Sequence, residues 1–344
     1  MYADPAESPI LTASACTDYG GHASIEPIPA YDLPVATKPT IVVSLLTQDN
    51  DYQVEQAASA EETARNLGIG VQILYADNDS ILQSQQILKF IQGDPGLRPD
   101  GIILEPVGGT GLPQVAKAAV DAGIAWVVLN REVGYVRQLR QSCSAPVFSL
   151  AADNQEVGRI QGLQFGKLLP KGGTVLYIQG PSDTDAAKLR MAGMLETKPA
   201  TVQIKSIKAQ WTEASAFKAI NSWLQLSTSQ RAQIDVISAQ NDAMAAGARK
   251  AFQQFTGSEV KDHWSNLPFL GVDGVPKTGQ AWVKQGLLAA TIVTPPLAGR
   301  AVEMLINALR RGKFPAEVTL MEPRSYPPLE ALNPSSADQK RSTI

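Results

Sequence analysis

Several turns in this sequence carry amides, carboxylates, arginines or aromatics directly after a short apolar run. Thr47 to Gln53 follows the run Ile41 to Leu46, and Asn130-Arg131 follows Ala125 to Leu129. Gln179 to Asp183 follows Thr174 to Ile178, with Arg190 a few residues on. Trp211 closes the segment after Val202 to Lys208. Asn241-Asp242, Asp273-Gly274 and Thr294-Pro295 end the remaining runs. Asp and Asn accept hydrogen bonds, Asn and Arg donate them, and Arg does so through a fixed planar fork. Tyr52 and Trp211 add flat apolar faces. Such a set suits a neutral ligand rich in hydroxyls, each of them donor and acceptor at once. The plain alternative for any one of these positions is an ordinary polar strand-to-helix turn, and for each aromatic it is core packing. Core packing is the expectation for Trp126, inside an apolar run, and for Trp223, on a helix face with Phe217 and Ile220.

Other chemistries are poorly supplied. The 344 residues include only two His, His22 in a Pro-rich segment and His263 in a polar loop, which argues against a His-based triad or multi-His metal site. Cys16 and Cys143 show no metal-ligand spacing, and a bridge between them has no support in the pattern. No metal and no cofactor is expected. Gly108-Gly109-Thr110-Gly111 precedes a helix but lacks the dinucleotide-binding glycine spacing, and a plain turn is expected there. The net charge of −3 offers no basic field for nucleic acid, and no apolar run is long enough for a transmembrane helix.

The positioning elements are an alternation of strand and helix. Apolar runs of strand length start at Ile41, Val71, Gly101, Ala125, Val147, Thr174, Val202, Val236, Phe269 and Ala289. Segments with helical spacing lie between most of them, the last running from Pro296 to Arg311. Asp242 reads as the N-cap of one helix, and Gly68 and Gly123 as helix stops. Alternation of this kind implies right-handed crossovers and parallel sheets, with ligands at the carboxyl ends of the strands. There are too many strands for one sheet, so two doubly wound lobes are expected. Residues 1–39 read as an extended or disordered arm, without the basic start and apolar run of a signal peptide, and 334–344 as a C-terminal tail.

Ala239 to Ala248, Gly271 to Pro276 and Gly286 to Ile292 resemble the ribose- and galactose-type sugar-binding proteins of bacterial ABC transporters, which share their fold with the effector half of LacI-type repressors. The similarity runs from about Thr40 to Leu320. It implies a type I periplasmic binding protein: α/β, a clam-shell of two doubly wound parallel-sheet lobes joined by a three-segment hinge. Lobe 1 is expected at 40–151 plus 295–320 and lobe 2 at 152–294 plus 321–333, with crossings near Ala145 to Ala151, Thr291 to Pro296 and Leu320 to Pro323. It also implies roles. Asn50, Tyr52 and Gln53 fall in a ligand-contacting first loop. Asn130 and Arg131 match an Asp-Arg pair, Arg190 an arginine that grips ring hydroxyls, and Trp211 an aromatic of the second lobe. Asn241 and Asp273 match donor and acceptor positions, and Thr294 replaces a hinge-side amide. Gln53 stands where the family often has a second aromatic, Asn130 where it has Asp, and Thr294 is shorter than the usual Gln. A pentose, an unusual sugar and a linear polyol therefore remain open.

The resemblance implies a monomeric, non-enzymatic solute-binding protein that presents its sugar or polyol to an ABC permease, or to a signalling partner, in the periplasm. A cytoplasmic sugar sensor of LacI type without its DNA-binding headpiece is the rival reading. A sugar-acting enzyme is a third; it would need a paired acid and base, for which Asp49, Asp51 and Glu105 are the carboxylates at hand.

Overall fold

The computed structural model describes residues 38–108, 111–131, 133–255, 264 and 266–333. The N-terminal arm up to residue 37, with Cys16 and His22, lies outside the described residues, as do His263, Gly109, Thr110 and the tail from 334.

The chain opens with β1 (Thr40–Leu45), α1 (Asp51–Leu67), β2 (Gly70–Tyr75), α2 (Ser80–Gln92), β3 (Gly101–Leu104), α3 (Pro113–Asp121), β4 (Ala125–Leu129), α4 (Tyr135–Ser142) and β5 (Val147–Ala152). A second round follows: α5 (Asn154–Leu168), β6 (Gly173–Gln179), α6 (Asp185–Thr197), β7 (Val202–Lys208), α7 (Glu213–Leu224), α8 (Ser227–Gln230), β8 (Val236–Ala239), α9 (Asp242–Gln254) and β9 (Phe269–Leu270). The helix Gly279–Lys284, β10 (Thr291–Val293), the helix Ala298–Arg311, β11 (Val318–Met321) and β12 (Arg324–Tyr326) complete it.

Two parallel sheets result, one per lobe. The first has the order β11-β5-β4-β3-β1-β2 and the second β7-β6-β8-β9. Strands covered on both faces need continuous apolar runs, and β3, β4, β5 and β8 are buried along their whole length. α1 and the helix Ala298–Arg311 pack on one face of the first sheet, α2 to α4 on the other. Trp126 is fully buried in that second layer, as expected. In the other lobe Trp223 packs on Phe252 and Trp264, with ring centroids 6.3 and 5.8 Å apart.

The order of both sheets reverses beside their first strand, between β1 and β3 and between β6 and β8. At such a point the following connections run to opposite faces and leave a crevice at the strand ends. The polar turns after β1, β3, β6 and β8 flank these two crevices.

The structure departs from the sequence reading in several places. The crossing expected at Ala145 to Ala151 is instead a strand: β5 pairs with β4 and β11 inside the first sheet. The chain leaves that lobe at Asp153, whose side chain caps α5 by accepting from the Glu156 amide at 2.9 Å. The helix α4 gave no clear periodic signal because it buries only Val136 and Leu139. β11 and β12 also went unread; each is short, only partly buried, and defined by pairing with distant β5 and β10. β12 runs antiparallel to β10, so the strand set is not wholly parallel.

Candidate functional site

The lobes meet around a cavity lined by Asn50, Tyr52, Gln53, Asn130, Arg131, Arg190, Trp211, Asn241 and Asp273, all singled out in the sequence. Leu46, Glu105, Asn154 and Ala186 line it as well. Thr294 is buried but not among the lining residues; it lies past β10, where its amide donates to the Asp273 carbonyl at 3.1 Å.

On the second-lobe side the polar groups bind one another. Arg190, on α6, donates through Nε to Asn154 Oδ1 at 2.9 Å and through Nη1 to the Gln240 carbonyl. Its guanidinium carbon lies 5.5 Å from the centre of the Trp211 ring, a cation–π contact. Gly180 also lies against the indole, where a Cβ would collide with the ring. Asn241, not Asp242, is the N-cap of α9: its Oδ1 accepts from the Met244 amide at 2.8 Å. Asp242 turns away from the cap. It accepts from the Gly274 amide at 2.8 Å and from Thr291 Oγ1 at 2.7 Å, which ties α9 to the segment after β9 and to the start of β10. Burial raises its pKa to about 7, against the lowering effect of those two bonds.

Trp211 also joins the lobes through its backbone. Its carbonyl accepts from Asn241 Nδ2 at 2.9 Å and, across the cleft, from Asn50 Nδ2 at 3.0 Å. Asn50 Oδ1 meanwhile caps α1, accepting from the amides of Tyr52 and Gln53 at 2.9 and 3.3 Å. Both asparagines thus have each end of the amide engaged by the protein. Trp211 has a φ of 61°, while Asn130 and Asp273 have 54° and 109°. Positive φ is sparsely populated for side-chain-bearing residues and gathers at functional sites; at Trp211 the two amide donors on its carbonyl hold it.

On the first-lobe side the centre is Glu105, which ends β3. Its Oε2 accepts from Gln53 Nε2 at 2.9 Å and from Gln56 Nε2 at 3.4 Å, and Asn130 lines the cavity with it. Burial raises the Glu105 pKa, while the three amides and the nearby Arg131 charge oppose the rise. Gln56 Oε1 turns to the amides of Leu297 and Ala298 at 2.6 and 2.8 Å, capping the helix Ala298–Arg311. Tyr52 donates its hydroxyl to the Pro295 carbonyl at 3.2 Å, and burial raises its pKa. Asp273 faces this group from the second lobe, its pKa raised by burial and by Asp242 and Glu105 against the pull of Arg190.

Arg131 is different. It is only 6% exposed, yet among the described residues its side chain donates one hydrogen bond, to the Pro106 carbonyl at 3.5 Å, and its Nε has no partner. Burial lowers its pKa, opposed by Glu105, Asp185 and Asp183. A buried guanidinium with donors to spare is costly unless something else receives them.

Sequence reasoning named Glu105 only as a carboxylate that an enzyme could use, not as a member of the binding site, and missed Asn154. Glu105 did carry a signal, since it is the polar residue that directly ends a buried apolar strand. Asn154 carried none, because its place depends on Arg190 reaching across from α6. Gln53, read as a departure from the sugar-binding pattern, holds Glu105, and Asn130, the other such departure on this side, lines the cavity with it.

Residues 41–313 match the periplasmic binding protein domain family. The chain is 28% identical over 292 residues to the ribose import binding protein of Escherichia coli (strain K12), covering 83% of this chain and 90% of that protein. It is 26% identical over 278 residues to the D-allose-binding periplasmic protein of the same organism, covering 79% and 85%. A solute-binding protein of Actinobacillus succinogenes 130z with bound D-allose superposes with a TM-score of 0.70 at 22% identity, over 88% of this chain and all of that one. A solute-binding protein of Bacillus halodurans C-125 with bound myo-inositol gives 0.69 at 20% identity, over 89% and 98%. These two likenesses are likenesses of fold. Two parallel-sheet lobes closed on a polar cleft, with a family match over most of the length, place this chain in the periplasmic binding protein domain family.

Proposed function

We propose that the protein captures a sugar or polyol between its lobes and presents it to the permease of an ABC transporter, acting in the periplasm. The observation that carries this reading is Arg131: a buried fork of donors without a full set of acceptors, in a cavity that both lobes wall and that Glu105 and Asp273 share. Two adjacent hydroxyls would complete the fork, and the ring or chain they belong to would lie against Trp211. The names of the relatives, import and periplasmic binding proteins for ribose and D-allose, agree with it and do not favour a cytoplasmic sensor. No covalent step is required. The lobe boundaries proposed are those where the chain passes between sheets, at Asp153, between β10 and Ala298, and between β11 and β12.

Ligand touching both lobes shifts the population toward the closed form. Asn50 and Trp211 already bond across the cleft, so the closed form has a contact of its own. A thermal-shift screen of pentoses, hexoses, polyols and sugar acids, followed by calorimetry, tests the reading. A true ligand raises the melting temperature by mass action. No shift with any compound of these classes would overturn it.

A further inference from the structure

We infer that the ligand is a substituted sugar or polyol, a glycoside or disaccharide rather than a free monosaccharide, with one unit in the cavity around Arg131 and its substituent in a second cavity that adjoins it. The inference rests on the function proposed above and names the class of ligand.

The second cavity also lies between the lobes, and it shares only Leu46, Arg131 and Trp211 with the first. Its other walls are separate. Asn78 and Val107 stand on the turns after β2 and β3, and Pro181 and Gln210 on the turns after β6 and β7. The inner cavity measures about 60 Å³ and the outer one about 390 Å³. Pockets that bury a small molecule span roughly 300–1,000 Å³. The inner cavity alone falls below that range, and the outer one falls within it. A ligand confined to the inner cavity would leave the larger space between the lobes to water.

The two cavities also differ in what their polar groups are free to do. In the inner one Asn50, Gln53 and Asn241 are engaged by other protein groups. In the outer one the side chains of Asn78, Asp183 and Gln210 make no hydrogen bond among the described residues, and Leu46, Val107 and Pro181 offer apolar surface. Free polar groups beside apolar surface match a substituent with hydroxyls at its edge and C–H groups on its faces. The wall is nonetheless built. The Asn78 amide donates to the Leu46 carbonyl at 2.9 Å, the Val107 amide to Gln83 Oε1 at 2.9 Å, and Thr184 Oγ1 to the Pro181 carbonyl at 2.8 Å. Arg131 stands on the boundary. It is tied to the carbonyl of Pro106, the residue before Val107, and Glu105 on the inner side and Asp183 on the outer side both oppose the effect of burial on its charge. One fork of donors is thereby placed to serve both units of a ligand.

The test uses D-ribose, D-allose and myo-inositol as parent probes, together with the methyl and phenyl glycosides of the two sugars and a galactoside of myo-inositol. Calorimetry on the wild-type protein should find, for at least one parent, a substituted form that binds about tenfold more tightly, the gain from burying roughly two more CH2-sized groups. Val107→Trp fills the outer cavity with an indole. It should abolish that gain and leave the affinity for the parent unchanged, since Val107 does not line the inner cavity. Asn78→Gly combined with Gln210→Ala removes two of the free polar side chains, with glycine keeping the φ of 59° at position 78. This double variant should lower the gain in the same selective way. Parents that bind while every substituted form binds equally or more weakly would overturn the inference and leave the proposed function standing. So would a gain that survives in Val107→Trp, or a loss in that variant equal for parent and substituted form. Absence of binding by every parent and every substituted form would overturn the sugar-binding reading and this inference with it. Should Val107→Trp fail to fold, the double variant serves in the same comparison, with the same outcomes for and against.

Discussion

On the second-lobe side of the cleft, Arg190 is held by Asn154, by the Gln240 carbonyl and by the face of Trp211. On the first-lobe side, Arg131 is buried just as deeply but, among the described residues, reaches one carbonyl at 3.5 Å and leaves Nε without a partner. The two arginines sit in the same cavity and were read from the sequence in the same way. Their surroundings give them different tasks. The second lobe is a platform, assembled before any ligand arrives, in which each polar group is a support for another. The first lobe keeps a set of donors in reserve beside the preset carboxylate Glu105. Preorganisation of this kind lowers the ordering cost of binding, and the reserved donors supply the direction.

Substitutions at four positions would break or sharpen that contrast. Arg190→Ala has the largest expected effect, because it strands Asn154 Oδ1 and the Gln240 carbonyl and uncovers the indole. It should reduce folding stability by about 3–4 kcal/mol in urea unfolding, and ligand binding with it. A wild-type midpoint in this variant would mean that the platform is not structural. Arg131→Ala should do the reverse. It should cost about 2–3 kcal/mol of ligand affinity with a melting temperature equal to or above that of the wild type, since a poorly satisfied buried charge is removed. Arg131→Lys should also bind poorly, because it keeps the charge without the planar fork. If either Arg131 variant binds normally, the guanidinium is no ligand contact.

Trp211→Ala comes next. Removing the ring should weaken binding by about 1–2 kcal/mol, and in the wild type ligand should change tryptophan fluorescence. Normal affinity in the variant would make Trp211 a packing residue only. The smallest effect is expected from Asn50→Ser, which keeps an oxygen to cap α1 but removes the donor that crosses the cleft to the Trp211 carbonyl. The loss is about 1 kcal/mol of closed-state preference. The unliganded variant should therefore show a larger radius of gyration in solution scattering than the unliganded wild type, and saturating ligand should abolish the difference. Equal radii without ligand would mean that this bond does not help to hold the lobes together.

The strands that a reader of the sequence finds most easily are those whose signal is local. β1, β4 and β8 are continuous apolar runs because both faces of a parallel strand are covered, and the turns after them are polar because they open on the cleft. That is why Asn130, Arg131 and Asn241 could be placed at strand ends without coordinates. The start of α9 was legible to within a residue: the polar pair Asn241-Asp242 marks it, but two good capping residues stand side by side there. Only the partners decide which one caps. Gly274 and Thr291 draw the Asp242 carboxylate away, and the cap falls to Asn241. β11 and β12 lacked a local signal because their hydrogen-bonding partners lie far away in the sequence and their faces are only partly covered.

The sequence by itself determined the alternation of strand and helix, the division into two rounds of it, and the chemical character of the strand ends, since each depends on periodicity and on residues a few positions apart. Only the tertiary structure decided which of those polar groups is still free to act. Hydrogen-bonding capacity is consumed pairwise, by partners such as Arg190 and Asn154 on different helices, or Asn50 and Trp211 in different lobes. No spacing along the chain records that Asn50 and Asn241 are engaged at both ends of their amides, that Glu105 gathers the amides of Gln53 and Gln56, or that Arg131 keeps a donor unpaired among the described residues.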